Sequence, residues 1–449
     1  MLQTWLHFAG VEIGNNTRVA AYMRDSGSAP LLRNDGCVCP TIPDALGDLP
    51  YLAPEIDPAP WYDPSDPRSA EFAGFWIEEI DGLHDSVIER TVTQRTTDGA
   101  VKSCARYKDR VLTVTGWLFA KSVCGADYGK FWLNSVLLGS RCSDCRGDDI
   151  CLFACCPTNR CDGEGESESG EGEDGPCYDT DVQLRTLRGA ALISGPDPVA
   201  TAPGLESDLC VDGARPIYRI TFQISTEPYY WRQPITIAEH LPWPMPTGDE
   251  VCHIQWNTDG DCDPDNPDCV PGANVPLAGC APDELCPPPP RPPRVPAATA
   301  SCVCLPLTAV RQCIDVPADL VPSWMDAALR ITVHSGETEL RNLAIRVWEN
   351  PDGLTPEQLD LCHTEGVYYV THVPAESTLT IDGMAEKAVI RCPGYVVTGA
   401  DTKVYGPGAG PLEHIALTCG TQYTICADVD AEFIDPLAHL SVELIPREA

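Results

Sequence analysis

The chain has 449 residues, with 66 Asp plus Glu against 30 Lys plus Arg and a formal charge of −36. That length is enough for two or three domains with cores of their own. So acidic a surface excludes nucleic acid and anionic membranes as partners and favours cationic ones, divalent ions included. Apolar content is ordinary at 43%, with no run long enough to span a bilayer, and 43 Pro with 36 Gly predict many turns and a mainly β protein.

The first residues, Met1 to Phe8, turn polar at Glu12, Asn15, Asn16 and Arg18. They lack the basic start and apolar core of an export signal, so synthesis in a reducing cytoplasm is expected. Val11–Ile13 and Thr17–Tyr22 read as short strands paired across the turn Gly14-Asn15-Asn16. Pro40–Pro67, rich in proline and acids, reads as an extended arm that carries Trp61 and Tyr62. In Arg110–Phe119, Leu112, Val114 and Leu118 alternate with Thr113, Thr115, Trp117 and Phe119, which predicts a strand. Gly116 within it marks a bulge or a close backbone approach. Ala126–Leu138 reads as the one helix, with Tyr128, Phe131, Trp132, Val136 and Leu138 as its apolar face and Gly139 as its stop. Asp162–Gly175 has seven acids and no base, the composition of a solvated loop. Strands resume at Val182–Leu192 and Tyr218–Ser225. The stretch 242–301, rich in Pro, Asp and Cys and holding the stiff run Pro287–Pro293, reads as a linker. After it, Leu329/Ile331/Val333, Leu343/Ile345/Val347, Leu379/Ile381 before an Asp382-Gly383 turn, Ile415–Thr418, Tyr423–Val429 and Leu440–Leu444 predict an antiparallel β-sandwich or jelly roll. The expected domains are therefore 1–241, with an insertion at 142–180, the linker 242–301, and a sandwich at 302–449.

The chain holds 24 cysteines. The densest group is Cys142-x-x-Cys145, Cys151, Cys155-Cys156 and Cys161. A CxxC turn supplies two thiolates to a zinc ion, but adjacent Cys155 and Cys156 cannot chelate one ion in the same way. Disulfides need only nearby Cα pairs and would staple a stretch with no core to define it. Disulfides, zinc and free thiols all stay open, disulfides fitting best. Cys37-x-Cys39 and Cys302-x-Cys304 suit partners elsewhere better than each other. Asp259, Asp261 and Asp263 alternate as calcium-loop ligands do, though the later bidentate Glu and the sharp-turn Gly are missing, so an acidic linker is the plainer reading. No Gly-x-Ser-x-Gly, HExxH or P-loop occurs, and His84-Asp85 and Cys362-His363 lack an orienting partner, so no catalytic residue is assigned and no enzyme is expected. Trp61, Tyr62, Tyr229, Tyr230, Trp231 and Trp243 could stack on sugars, but aromatics of this kind more often anchor subunits, Trp61 and Tyr62 foremost.

With these residues in view, the chain resembles the distal tail proteins, the minor tail proteins of long-tailed phages infecting actinobacteria. The resemblance rests on Gly10-Val11-Glu12-Ile13-Gly14-Asn15 leading to Arg18 and Tyr22, on Gly36-Cys37-Val38-Cys39-Pro40, and on Ala59-Pro60-Trp61-Tyr62-Asp63. It continues through Arg110–Leu138 and Cys142–Pro157 to the closing Pro446-Arg447-Glu448. It implies a β-rich N-terminal domain with one helix, assembling as a homohexameric ring beneath the tail tube, and a C-terminal galectin-like antiparallel β-sandwich projecting outward. The expected partners are further copies, the tail tube protein, the tail-tip hub protein and the tape-measure protein, in the virion. A rival expectation is a receptor-binding protein whose sandwich takes host cell-wall glycan. The resemblance brings no catalytic residue and no cofactor. Zinc at the cysteines and calcium at the aspartates enter only as the residue patterns above allow.

Overall fold

The structure is a computed structural model that describes residues 1–25, 38–139, 147–159, 178–201, 217–244, 252–256, 303–307, 309–356, 358–359, 364–394, 398–400, 403–407, 410–418, 420–430 and 434–448. The chain divides into two compact units, Met1–Gln233 with Arg447–Ala449, and Pro234–Pro446. Both are mainly β, as the proline content and the strand patterning predict.

The first unit opens with β1 (Trp5–Phe8), β2 (Val11–Asn15) and α1 (Asn16–Asp25), followed by α2 (Ile42–Leu46) and a 3-10 turn at Pro67–Glu71. Then come β3 (Phe72–Asp81), β4 (Ile88–Glu89), β5 (Val92–Gln94), β6 (Ala100–Lys102), β7 (Arg106–Tyr107), β8 (Arg110–Ala120) and α3 (Val123–Leu137). β9 (Asp148–Phe153), α4 (Thr180–Gln183), β10 (Leu184–Thr201), β11 (Ile217–Thr226) and β12 (Tyr230–Trp231) complete it. β10 serves two sheets. Leu184–Leu187 pair with β9 and continue to β1 and β2. Ala191–Thr201 pair with β11, which leads on to β8 and β3. One apolar core lies among these sheets and takes in Phe8, Phe75, Leu112, Leu118, Ile150 and Phe222.

The strand reading of Arg110–Phe119 holds. Leu112, Val114 and Leu118 are fully buried, and a Cβ on Gly116 would stand 2.3 Å from the Trp76 carbonyl oxygen and 2.5 Å from Phe75 Cζ. The glycine thus sits where β3 lies too close to β8 for a side chain.

Thr17–Tyr22 is helix, not strand. The Asn15 side chain accepts from Arg18 N at 3.1 Å, capping α1. The buried Asn16 side chain exchanges two hydrogen bonds with the backbone of Ile77, at 2.9 and 2.8 Å. The Asn-Asn pair is therefore a helix start, and the strand partner of β2 is β1. α3 forms as predicted, capped by Ser122 Oγ accepting from Gly125 N at 3.0 Å and stopped at Gly139 in the left-handed region at φ 70°. Of the predicted face, Tyr128, Trp132 and Val136 pack partly buried against the core, and the fully buried stripe beside them is Gly125, Ala126, Gly129, Leu133 and Leu137. Phe131 is 74% exposed and Leu138 54%. The reason is Gly129, against which the Phe72 ring lies so closely that a Cβ would meet it at 2.5 Å. The helix docks on its small residues and turns Phe131 outward.

The arm 40–67 is packed on its own unit. Tyr51, Asp57, Ala59 and Trp61 are all buried. Its extended look in sequence reflects prolines in turns such as Ala53–Ala59, closed by Asp57 N to Ala53 O and Ala59 N to Pro54 O.

The second unit holds β13 (Ile235–Pro242), β14 (Cys252–Trp256), β15 (Val303–Leu307), β16 (Ala309–Val316), β17 (Asp326–His334), β18 (Leu340–Glu349) and β19 (Gly366–Val373). β20 (Thr378–Asp382), β21 (Lys387–Arg391), β22 (Thr398–Gly399), β23 (Val404–Tyr405), β24 (Ala416–Thr418), β25 (Tyr423–Asp430) and β26 (His439–Glu448) follow. One sheet runs β16-β25-β18-β19-β23 and the other β13-β26-β17-β20-β21-β22, with β24 also on β17. Leu329, Ile331 and Val333 from one sheet meet Leu343, Ile345 and Val347 from the other in a shared core, so this unit is the predicted antiparallel sandwich. The Asp382 turn is present, its carboxylate accepting from Met384 N and Ala385 N at 2.9 Å each. Ile235–Pro242 belongs here rather than to the first domain, because β13 pairs with β26, Ile235 opposite Leu444. Most of 242–301 lies outside the described residues.

Candidate assembly surfaces

A buried polar network in the first unit is built by β2, α1 and the arm. Glu12, the second residue of β2, accepts from Trp5 Nε1, Asn15 Nδ2 and Arg18 Nε, each at 2.9 Å. The Arg18 guanidinium, 5% exposed, also reaches Asp48 at 3.3 Å and Asp57 at 3.4 Å, and lies 4.0 Å over the Tyr51 ring. Tyr22 OH donates to Asp57 at 2.8 Å and Tyr51 OH to Asp48 at 2.5 Å. Burial alone would lower the pKa of Arg18, but Glu12, Tyr51 and Tyr22 outweigh it and hold the guanidinium charged. Burial is also the first cause that pushes both tyrosine hydroxyls up, so they stay protonated donors. The arrangement is a clamp that fastens the arm to the β2–α1 corner. Glu12, Asn15, Arg18 and Tyr22, singled out in the N-terminal run, meet in it. Asp48, Tyr51 and Asp57 gave no signal in sequence.

Trp61 does not fill the role of an interface anchor. Its ring is 4% exposed, packs on Phe72 and Trp132 at 4.9 and 5.6 Å, and donates Nε1 to Phe72 O at 3.0 Å. Tyr62 is half-buried against the same core. Tyr230, Trp231 and Trp243 are likewise buried, so they offer no face to a sugar.

What α3 leaves outside is more telling. Phe131, Lys130 and Asn134 face Pro196, Pro198 and Ile220 across a cavity of about 470 Å³. Ile193 and Val199, flanking those prolines on β10, are more than half exposed. Phe131, with Pro196 and Pro198 opposite it, gives this groove an exposed apolar wall of the kind that a protein contact uses.

The cysteines do not converge on one centre among the described residues. Cys156 bonds to Cys39, 117 residues away, beside Thr41 Oγ1, which donates to Pro157 O at 2.5 Å. Cys39 therefore takes a distant partner, as its spacing predicts. Cys151 is a free thiol in β9, its pKa raised first by burial, and Cys155 is free and exposed. A second disulfide, Cys313–Cys426, links facing residues of β16 and β25. Cys142, Cys145, Cys161, Cys302, Asp259, Asp261 and Asp263 lie outside the described residues, as do the acidic stretch 162–175 and Cys362-His363.

No protein-family model matches the chain, and no curated protein does. Among solved structures, the Dit protein of phage SPP1, described as a paradigm of the hub adsorption apparatus in Gram-positive infecting phages, is 10% identical with a TM-score of 0.36, covering 85% of this chain and 96% of its own. A chain of the phage p2 baseplate in its activated conformation with strontium is 9% identical with a TM-score of 0.36, covering 86% and 93%. One from that baseplate with calcium is 8% identical with a TM-score of 0.33, covering 83% and 94%. Likeness of this size assigns no function.

Proposed function

We propose that this chain is a structural virion protein of a phage tail tip, of the distal tail type. Copies of the first unit close into a six-membered ring that joins the tail tube to the tail-tip hub and the tape-measure end. The observation that carries the reading is the exposed Phe131 ring on the α3 groove, on a unit whose inner helix face is already filled. The N-terminal resemblance supports it, since Glu12, Asn15, Arg18 and Tyr22 build one buried clamp. The second unit is a sandwich of the galectin-like kind that the resemblance implies, and the role is mechanical rather than catalytic. A contact between two different patches on neighbouring copies closes into a ring when the rotation allows.

The test is native mass spectrometry of the full chain with Phe131→Glu beside it. The unmodified protein is expected as a closed hexamer, and Phe131→Glu should lower association at least ~tenfold, as loss of an interface hot spot does. Compared at a dilution where both are monomeric, the two proteins should melt together, because the Phe131 side chain is solvent-exposed within the chain. A hexamer indifferent to Phe131→Glu would place the contact elsewhere.

One observation favours a second reading, glycan binding by the sandwich: Trp324 is 68% exposed in the second unit. On an array of host cell-wall glycans the full chain should then bind and Trp324→Ala should lose roughly tenfold or more, the worth of one stacked aromatic of about 1.5 kcal/mol. No binding by the unmodified chain removes this reading and leaves the sandwich as scaffold.

A further inference from the structure

Between β3 and β8 the chain makes a two-stranded excursion, β4 with β7 and β5 with β6. Every residue from Ile88 to Gly99 and from Val101 to Cys104 is exposed. Its root, by contrast, is fixed. Arg110 Nη1 donates to the carbonyls of Gly82, Leu83 and Asp85 at 3.0 to 3.1 Å, and Tyr230 OH donates to Leu83 O at 2.7 Å. Residues 88–108 carry five cations, Arg90, Arg95, Lys102, Arg106 and Lys108, against Glu89 and Asp98, a net +3 in a chain of −36. All five are exposed, and among the described residues none has a carboxylate partner within 4.0 Å. A cationic ribbon held out on a firm root is matched by the chain's most one-sided acidic stretch, the seven acids of 162–174. The described residues that flank it, Asn159 and Tyr178, form a β-bridge. Tyr178 and Thr180 are tied to α2, through Asp44 and the Ala45 carbonyl. The root of the ribbon and these flanking residues thus sit on different elements of the unit, and a head-to-tail contact uses two unlike patches.

We infer that the ribbon 88–108 docks on the acidic segment 162–174 of a neighbouring copy. The inference rests on the ring reading and names the charged half of its contact. Opposite charges steer association and set register, and salt screens them.

The experiment mixes unlabelled and nitrogen-15 full chains, applies a zero-length carbodiimide crosslinker, and maps the linked peptides by mass spectrometry. Mixed-isotope links from Lys102 or Lys108 to carboxylates of 162–174 are expected. So is a fall in ring population of ~tenfold or more on combining Arg90→Glu, Arg95→Glu, Lys102→Glu and Arg106→Glu, or on raising salt from ~0.05 to ~1 M. Because those side chains are exposed, the folding control is the melting temperature at a dilution where every variant is monomeric, which should hold. A ring with only same-isotope links, or one indifferent to the reversals, overturns this inference and leaves the ring reading standing. An unmodified chain that stays monomeric overturns both.

Discussion

Arg18→Ala is expected to cost the first unit about 3–5 kcal/mol, the loss typical when one partner of a buried ion network is removed. The substitution strips from Glu12 and Asp57 the only cation paired with them among the described residues, and their side chains are 9% and 1% exposed. It also takes away the stacking over Tyr51 at 4.0 Å. Two largely buried carboxylates would remain without a cation, and their desolvation is then uncompensated. Arg18→Lys should recover only part of the loss, because a single ammonium cannot reach Glu12, Asp48 and Asp57 from one position as the guanidinium fork does. Denaturant unfolding of the full chain, followed by a probe of the first unit, gives the magnitude. Limited proteolysis should show new cleavage between Asp48 and Asp57 in the alanine variant as the arm comes away. A loss below about 1 kcal/mol would put Arg18 among ordinary surface pairs and remove the clamp from the account.

Removing the disulfides has the second large effect. Cys313 and Cys426 are 113 residues apart in sequence, and Cys39 and Cys156 are 117 apart. Cross-links closing loops of that length stabilise by up to about 4–5 kcal/mol through the unfolded chain, with 2–5 kcal/mol the usual measured loss on removal. The paired variant Cys313→Ala/Cys426→Ala should therefore lower the stability of the second unit by several kcal/mol. Cys426 is fully buried and packs with Trp348 and Leu359, so the alanines also leave sulfur-sized voids in a well-packed place. Cys39→Ala/Cys156→Ala should act on the first unit, where the bond ties the start of the arm to the segment after β9. Calorimetry with and without reductant separates the two bonds from general packing. If both transitions are unmoved by reductant while the paired variants still destabilise, the sulfur atoms act by packing and not as cross-links.

The strands were readable because a half-buried strand writes its burial at a period of two. Leu112/Val114/Leu118 and Leu329/Ile331/Val333 lie where that alternation puts them. The helices were harder for specific reasons. At Thr17–Tyr22, β-branched Thr17 and Val19 resemble a strand, while the deciding signal is an asparagine three residues before Arg18, placed to cap. On α3 Tyr128 and Trp132 do pack inward, but the deepest stripe also uses Gly125 and Gly129, small because Glu71 and Phe72 press against them. The outward Phe131, which carries the assembly reading, could be found only once that face was known. The arm's attachment was invisible because its partners are distant in sequence: Asp57 meets Arg18, and Trp61 meets Phe72 and Trp132. The same holds for Cys39, whose need for a distant partner was legible but whose choice of Cys156 was not. The ribbon 88–108 shows neither strong alternation nor an apolar run, and its charge stands out only against the acidity of the rest.

The most direct test of the assembly claim is the mass of the unmodified full chain in solution, read by native mass spectrometry at low salt. The account predicts a closed hexamer that Phe131→Glu disperses. A strict monomer at every concentration, together with no ring of this chain in tail tips imaged by electron cryo-microscopy, would contradict it.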